Sequence, residues 1–154
     1  MDFAYSKELA ELADRARGLA DVIEAYEDRC ERDNGLSATD HAEIADAVRA
    51  ARLNAINMPG EWGGQGLSIL EQVVVQEQLG RLTNALWDTV WRPANALRAC
   101  TAEQRERYLV PCIEGRKRDC FAVTEECAGS DPQAIAATAR RNAAGDGWII
   151  DGEK

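Results

Sequence analysis

The residues with the most chemical promise lie together in one run, Ala122-Val123-Thr124-Glu125-Glu126-Cys127-Ala128-Gly129-Ser130-Asp131-Pro132. In an extended chain the side chains alternate, so Phe121 and Val123 face one way and Ala122 and Thr124 the other. A strand end presents backbone amides and carbonyls in a line, and Thr124 adds a hydroxyl that both donates and accepts. Ala128-Gly129-Ser130 are small and flexible. They let backbone amides approach a diphosphate, and Ser130 adds a second hydroxyl donor. This is the chemistry of holding and orienting a ligand. Glu125 sits inside the run, but nothing in the sequence marks it as an acid or base. Glu126 sets a carboxylate beside the diphosphate position, which is unfavourable there unless the side chain points to solvent.

Other reactive side chains are scattered. The five cysteines, Cys30, Cys100, Cys112, Cys120 and Cys127, are odd in number, widely spaced and without a Cys-x-x-Cys pair. That pattern fits reduced, mostly buried thiols in a cytoplasmic chain rather than a disulfide framework. With His41 the only histidine, no zinc spacing is present and no metal site is expected. His41 falls on a charged helix and reads as solvated, as does the turn Arg116-Lys117-Arg118. Trp87 and Trp91 are four apart on a segment read as helical, which puts them on one face. They either fill core volume or line a pocket for an apolar group. Trp62 reads as a packing anchor.

These residues need elements to position them. Leu9, Leu12, Ala16, Leu19, Ile23, Tyr26 and Cys30 recur three and four apart, predicting one amphipathic helix that ends at the turn Asp33-Asn34-Gly35. A second helix, capped by Ser37 or Thr39, runs to about Leu53. Pro59 and four glycines between Asn57 and Leu67 exclude a helix interior and predict a structured loop. Ser68-Ile69-Leu70-Glu71 and Thr101-Ala102-Glu103-Gln104 are capping boxes that open two more helices, closed by Gly80 and Gly115. Asn84–Ala99 reads as helix interrupted at Pro93. Strand formers then take over at Cys120–Thr124, Thr138–Arg141 and Trp148–Ile150, with a hairpin turn at Ala144–Gly147. Three short strands are too few for an independent sheet core.

The chain has 154 residues and a formal net charge of -9. The acidic balance argues against a nucleic-acid backbone as partner. No apolar run reaches the length of a membrane span, and the first residues, Met1-Asp2-Phe3-Ala4, carry no secretory signal pattern. The expected architecture is a mainly α, up-and-down helical bundle over residues 1–118, followed by the first strands of an incomplete β-barrel domain over 119–154.

The run Ala122–Pro132 resembles the flavin-binding signature of the acyl-CoA dehydrogenase family. Three further segments are similar to that family in the same order: Met58–Gly66, Thr101–Gln104 with Tyr108–Pro111, and Gly147–Lys154. The resemblance implies FAD as cofactor, with Val123 and Thr124 against the flavin ring, Phe121 bordering it, and Gly129 and Ser130 reaching flavin phosphate or the acyl-CoA chain. It also implies that Trp87 and Trp91 line the acyl pocket. The implied reaction is α,β-dehydrogenation of an acyl-CoA thioester. Hydride passes to the flavin and electrons to an electron-transfer flavoprotein, within a homo-oligomer, dimer or tetramer, of a longer parent. The family's catalytic glutamate has no counterpart here, so no catalytic residue is assigned and the isolated chain is expected to be inactive. Glu126 stands where the family has proline, which frees a backbone torsion and restores an amide donor. The alternatives are a fragment of a same-fold flavin oxidase or monooxygenase, or a non-catalytic helical interaction module.

Overall fold

The structure, a computed structural model, describes residues 4–154. Met1 to Phe3, on which the absence of a leader was partly judged, lie outside the described residues. The chain divides into two compact units, one through Asp119 and one of Cys120–Lys154.

Helix α1, Lys7–Glu24, starts where the Ser6 hydroxyl accepts the Leu9 amide at 3.3 Å. Its stripe buries Leu12, Ala13, Ala16, Leu19, Ala20 and Ile23. The helix does not run on to Cys30 as the spacing predicts. It breaks at Ala25 and Tyr26, and a separate helix α2 covers Glu27–Asp33. The break turns Tyr26 and Arg29 towards the next helix, where the Tyr26 hydroxyl donates to Glu43 at 2.8 Å and Arg29 pairs with Asp40. Asn34, at φ 54°, and Gly35 end α2 in the expected turn.

Helix α3, Ala38–Ala50, is capped by Ser37 through a complete capping box with Asp40. The Asp40 carboxylate is buried, and the Ser37 hydroxyl and amide together with Arg29 hold its carboxyl below the usual range. Helix α4, Ile69–Leu79, opens on the predicted capping box of Ser68 and Glu71. Helices α1, α3 and α4 enclose the main core with Ile44, Val48, Leu53, Ile56, Val75 and Leu79. Across the α1–α4 contact Arg81 pairs with Asp21 and Glu24.

Between α3 and α4 the glycine loop folds back on itself. The Gly64 amide donates to Pro59 O, Gly66 to Met58 O and Leu67 to Ile56 O, at 3.0, 2.8 and 2.9 Å. A Cβ on Gly64 would stand 2.2 Å from the Met58 carbonyl oxygen, so no other residue fits that crossing. Met58 beneath it joins Ala55, Leu109 and Ile113 in a second core cluster, and Trp62 packs against that cluster.

Asn84–Ala99 departs from the predicted helix. Only two short 3-10 turns form, Leu86–Thr89 and Asn95–Ala99. Asn84 and Ala85 both sit at positive φ, which ends regular winding before Leu86, and Pro93 separates the two turns. Helix α5, Ala102–Gln104, begins at the predicted Thr101 capping box. It passes through one π turn, Arg105–Leu109, into α6, Val110–Ile113. The π turn opens the backbone ahead of Pro111, which has no amide to donate. It also places the Arg105 guanidinium 4.3 Å from the centre of the Trp62 ring.

In the second unit β1, Thr138–Arg141, pairs antiparallel with β2, Trp148–Asp151, in the register Thr138↔Asp151 to Arg141↔Trp148. Asn142 closes the turn by accepting the Gly147 amide on its side chain at 3.2 Å. The strand expected at Cys120–Thr124 is not formed. Among the described residues no strand lies beside it to take its hydrogen bonds, and an isolated bridge between Glu125 and Ala128 follows it.

Replacing Gly64 by alanine is expected to lower the stability of the first unit by about 1–3 kcal/mol through overpacking. Gly60→Ala, where an added Cβ meets nothing, is expected to change it by less than about 0.5 kcal/mol. Urea denaturation followed by helical circular dichroism measures both.

Candidate functional site

The bridge between Glu125 and Ala128 folds the chemically interesting run into a tight hairpin. The Glu125 amide donates to Ala128 O and the Ala128 amide to Glu125 O, each at 3.1 Å. This buries Ala128 and turns the Glu125 side chain towards the segment entering β1. One carboxylate oxygen accepts the Ala136 amide at 2.8 Å and the other the Ala137 amide at 3.1 Å. The Lys154 ammonium lies 2.8 Å from the second oxygen and also donates to Val123 O at 3.0 Å. The Glu125 side chain is only 9% exposed. Lys154 foremost, then the Ala136 amide, and more weakly the Ala137 amide, hold the Glu125 carboxyl down to about 2, against the opposing effect of its partial burial.

Around this knot opens a cleft of about 880 Å3, with Thr124, Cys127, Ala137, Thr138, Gly152 and Glu153 on its walls. Gly152, at φ +146°, lies against Ala137, whose Cβ an added side chain would meet at 2.6 Å. The end of β2 can cross the segment before β1 only with glycine there.

Thr124, Gly129 and Ser130 are exposed and Val123 is half-buried. Among the described residues the Thr124 and Ser130 hydroxyls make no hydrogen bond, and the space beside Gly129 is open. These are free donors on an accessible surface. Phe121 is 83% exposed and Ile150 79%, so an apolar wall is available but uncovered. The Glu126, Asp151 and Glu153 carboxylates line the cleft, and its one ammonium, on Lys154, is already paired. The donor set therefore suits the polar edge and polyol chain of a flavin. It does not suit a diphosphate inside the cleft, where like charges would repel it.

Trp87 and Trp91 belong to the first unit and do not share a helix face. Trp87 lies in a 3-10 turn and is 46% exposed. The Trp91 indole N–H donates to Ile113 O at 3.1 Å, and its ring lies against Gly115, where an added Cβ would approach within 2.8 Å. Its role visible here is to seal the end of α6. His41 is exposed, as read from the sequence.

The Glu125–Lys154 pairing went unseen in the sequence, although each residue stands in a segment singled out there. A charged residue at the end of the Gly147–Lys154 segment was the available signal.

Residues 6–116 match the model of the family described as acyl-CoA dehydrogenase, N-terminal domain. The 3-(aryl)acrylate reductase of Clostridium sporogenes is 38% identical over 64% of this chain and 27% of its own length. The acryloyl-CoA reductase (NADH) of Anaerotignum propionicum is 29% identical over all of this chain and 39% of its own length. The mitochondrial short-chain specific acyl-CoA dehydrogenase of Bos taurus is 34% identical over 66% and 26% respectively. A solved structure described as the electron transferring flavoprotein of Acidaminococcus fermentans superposes with a TM-score of 0.65 and 26% identity, over 99% of this chain and 40% of that one. The chain thus spans between a quarter and two fifths of the length of these curated relatives.

Trp91→Ala is expected to destabilise the first unit by about 3 kcal/mol. Trp87→Ala is expected to stay within about 0.5 kcal/mol. Thermal melts of the two variants separate the packing tryptophan from the exposed one.

Proposed function

The chain belongs to the acyl-CoA dehydrogenase family, and from that premise we propose that it is the N-terminal part of a flavin-dependent oxidoreductase acting on the α,β-carbon bond of an acyl-CoA thioester. The observation that carries the reading is the unengaged Thr124 hydroxyl on an open cleft, with the Ser130 hydroxyl exposed six residues further on, in the segment whose sequence resembles a flavin signature. Thr124, with the backbone of Val123, holds the ring edge. Ser130 and the Gly129 amide reach the polyol and phosphate side beyond the carboxylates, and Phe121 borders the ring. FAD, when bound, supplies a two-electron acceptor for a hydride. Trp87 remains available to border an acyl group.

No residue of this chain acts as the base that removes the α-proton. Glu125 is the carboxylate next to Thr124 in the flavin-like run, but it is held near 2 and its oxygens are engaged by three donors. A base so weak at neutral pH has little driving force to take a proton. The parent is expected to be a homo-oligomer, dimer or tetramer, working in the cytoplasm and exchanging electrons with an electron-transfer flavoprotein. The names of relatives divide between dehydrogenases and reductases of acrylate-type double bonds. The same electron pair crosses the same kind of bond in opposite directions, so the class of reaction is common to both.

Titration of the chain with FAD, followed by flavin fluorescence, tests the site. Saturable weak binding is expected, loosened about 2- to 10-fold by Thr124→Ala, as for one lost hydrogen bond. Binding equal in wild type and Thr124→Ala would remove Thr124 from the site. No turnover of acyl-CoA by the chain alone is expected, and stoichiometric flavin reduction by substrate would overturn the assignment of the base outside these residues.

A further inference from the structure

A flavin-binding cleft without a buried apolar core beneath it needs some other means of keeping its shape. The second unit has little core: among its described residues Ala128 is the one buried side chain, while Phe121, Trp148 and Ile150 are exposed. What crosses the unit is polar. Glu125 leaves one hairpin, receives the Ala136 and Ala137 amides from the segment entering β1, and receives Lys154 from the segment leaving β2. Lys154 returns to Val123 O, closing a ring of contacts around residues 123–125.

We propose that Glu125 and Lys154 form a positioning latch that gathers three chain segments and presents Thr124 at the rim of the cleft. The purpose of the latch rests on the flavin reading above, but its formation does not. Two features make it more than an incidental surface pair. The carboxylate is largely withdrawn from water, so its attraction to the ammonium is weakly screened. It also accepts two backbone amides that have no other acceptor among the described residues, and an ion pair alone does not supply that service.

The latch is acid-sensitive in a defined direction. The Glu125 carboxyl ordinarily titrates near 4.5 and is held near 2 when latched. The closed form is therefore fully favoured above about pH 4.5, and that advantage is lost as pH falls towards 2. The other charged groups facing Glu125 across the cleft are the Glu126, Asp151 and Glu153 carboxylates, with the Cys127 thiol beside them. None of these groups accepts the Ala136 or Ala137 amide, so acid loss of protection at those two amides reports on Glu125.

Amide hydrogen exchange of the full chain tests the latch without flavin. In the wild type at pH 7 the Ala136 and Ala137 amides are expected to be protected. Glu125→Gln is expected to speed their exchange at least about 10-fold, the factor equivalent to one strong hydrogen bond. Lys154→Met, which leaves both amide bonds in place, is expected to give a smaller rise, and Lys154→Arg to restore protection. The charge-swapped pair Glu125→Lys with Lys154→Glu is the sharpest arm. A simple ion pair is rescued by the swap, whereas the latch is not, because an ammonium cannot accept the Ala136 and Ala137 amides. Unchanged exchange in Glu125→Gln, or full rescue by the swap, overturns the proposal. Protection of amides in α1 and α4 in every variant shows that the chain has not simply unfolded. Titrating FAD into the same samples separates the two readings: failure of FAD to bind the wild type defeats the flavin assignment, while the exchange data alone decide the latch.

Discussion

The first unit depends on one constraint, the burial of the α1 stripe. Ala16, Ala20 and Ile23 are completely withdrawn from water, with Leu12 and Leu19 nearly so. The two alanines leave room for neighbouring helices to approach closely, and Val75 and Leu79 from α4 and Ile44 and Val48 from α3 complete the same cluster. Once those three helices are fixed, the chain between α3 and α4 must turn within a short distance. The glycine loop meets that demand by crossing over Met58, with Gly64 at the contact point. The second cluster then forms on Met58, and Arg105 and Trp62 stack at its border.

The second unit is held by a different force. It has two short strands, two exposed faces and almost no buried apolar area. A two-stranded hairpin of this size is marginal in water by itself. Its additional order comes from a withdrawn carboxylate with three donors and from one glycine crossing, Gly152 on Ala137. Hydrophobic burial is insensitive to direction, whereas a carboxylate accepts only where its lone pairs point. A polar knot can thus fix the geometry of a binding surface where there is too little apolar material to do so.

Much of this was legible in the sequence where a local rule sufficed. The capping boxes at Ser68 and Thr101, the left-handed turn at Asn34-Gly35 and the hairpin between β1 and β2 each depend on a few neighbouring residues, and each is found. The misses required partners distant in sequence. The apolar stripe through Cys30 carries no mark of the break at Tyr26, because the break is made by contacts with Glu43 and Asp40 on α3. Trp87 and Trp91 have helical spacing, yet two positive-φ residues and Pro93 deny them a helix. Cys120–Thr124 has strand composition, but a strand exists only beside another strand. In the candidate site the run of residues was legible, while the role of Glu125 was not, since its partners lie 11, 12 and 29 positions further along the chain.

The division of labour in the candidate site follows from which polar groups are occupied. Thr124 and Ser130 keep their hydroxyls free, so they can meet a ligand without first breaking a bond in the protein. Glu125 has spent its lone pairs on Ala136, Ala137 and Lys154. Recruiting it as a base would mean releasing those donors and raising a depressed carboxyl into a useful range, two costs that oppose catalysis together. A surface that leaves its hydroxyls open and its best-placed carboxylate committed is consistent with the proposal that it holds a redox cofactor and does not move the substrate's proton. On that proposal, proton transfer falls to a group other than Glu125.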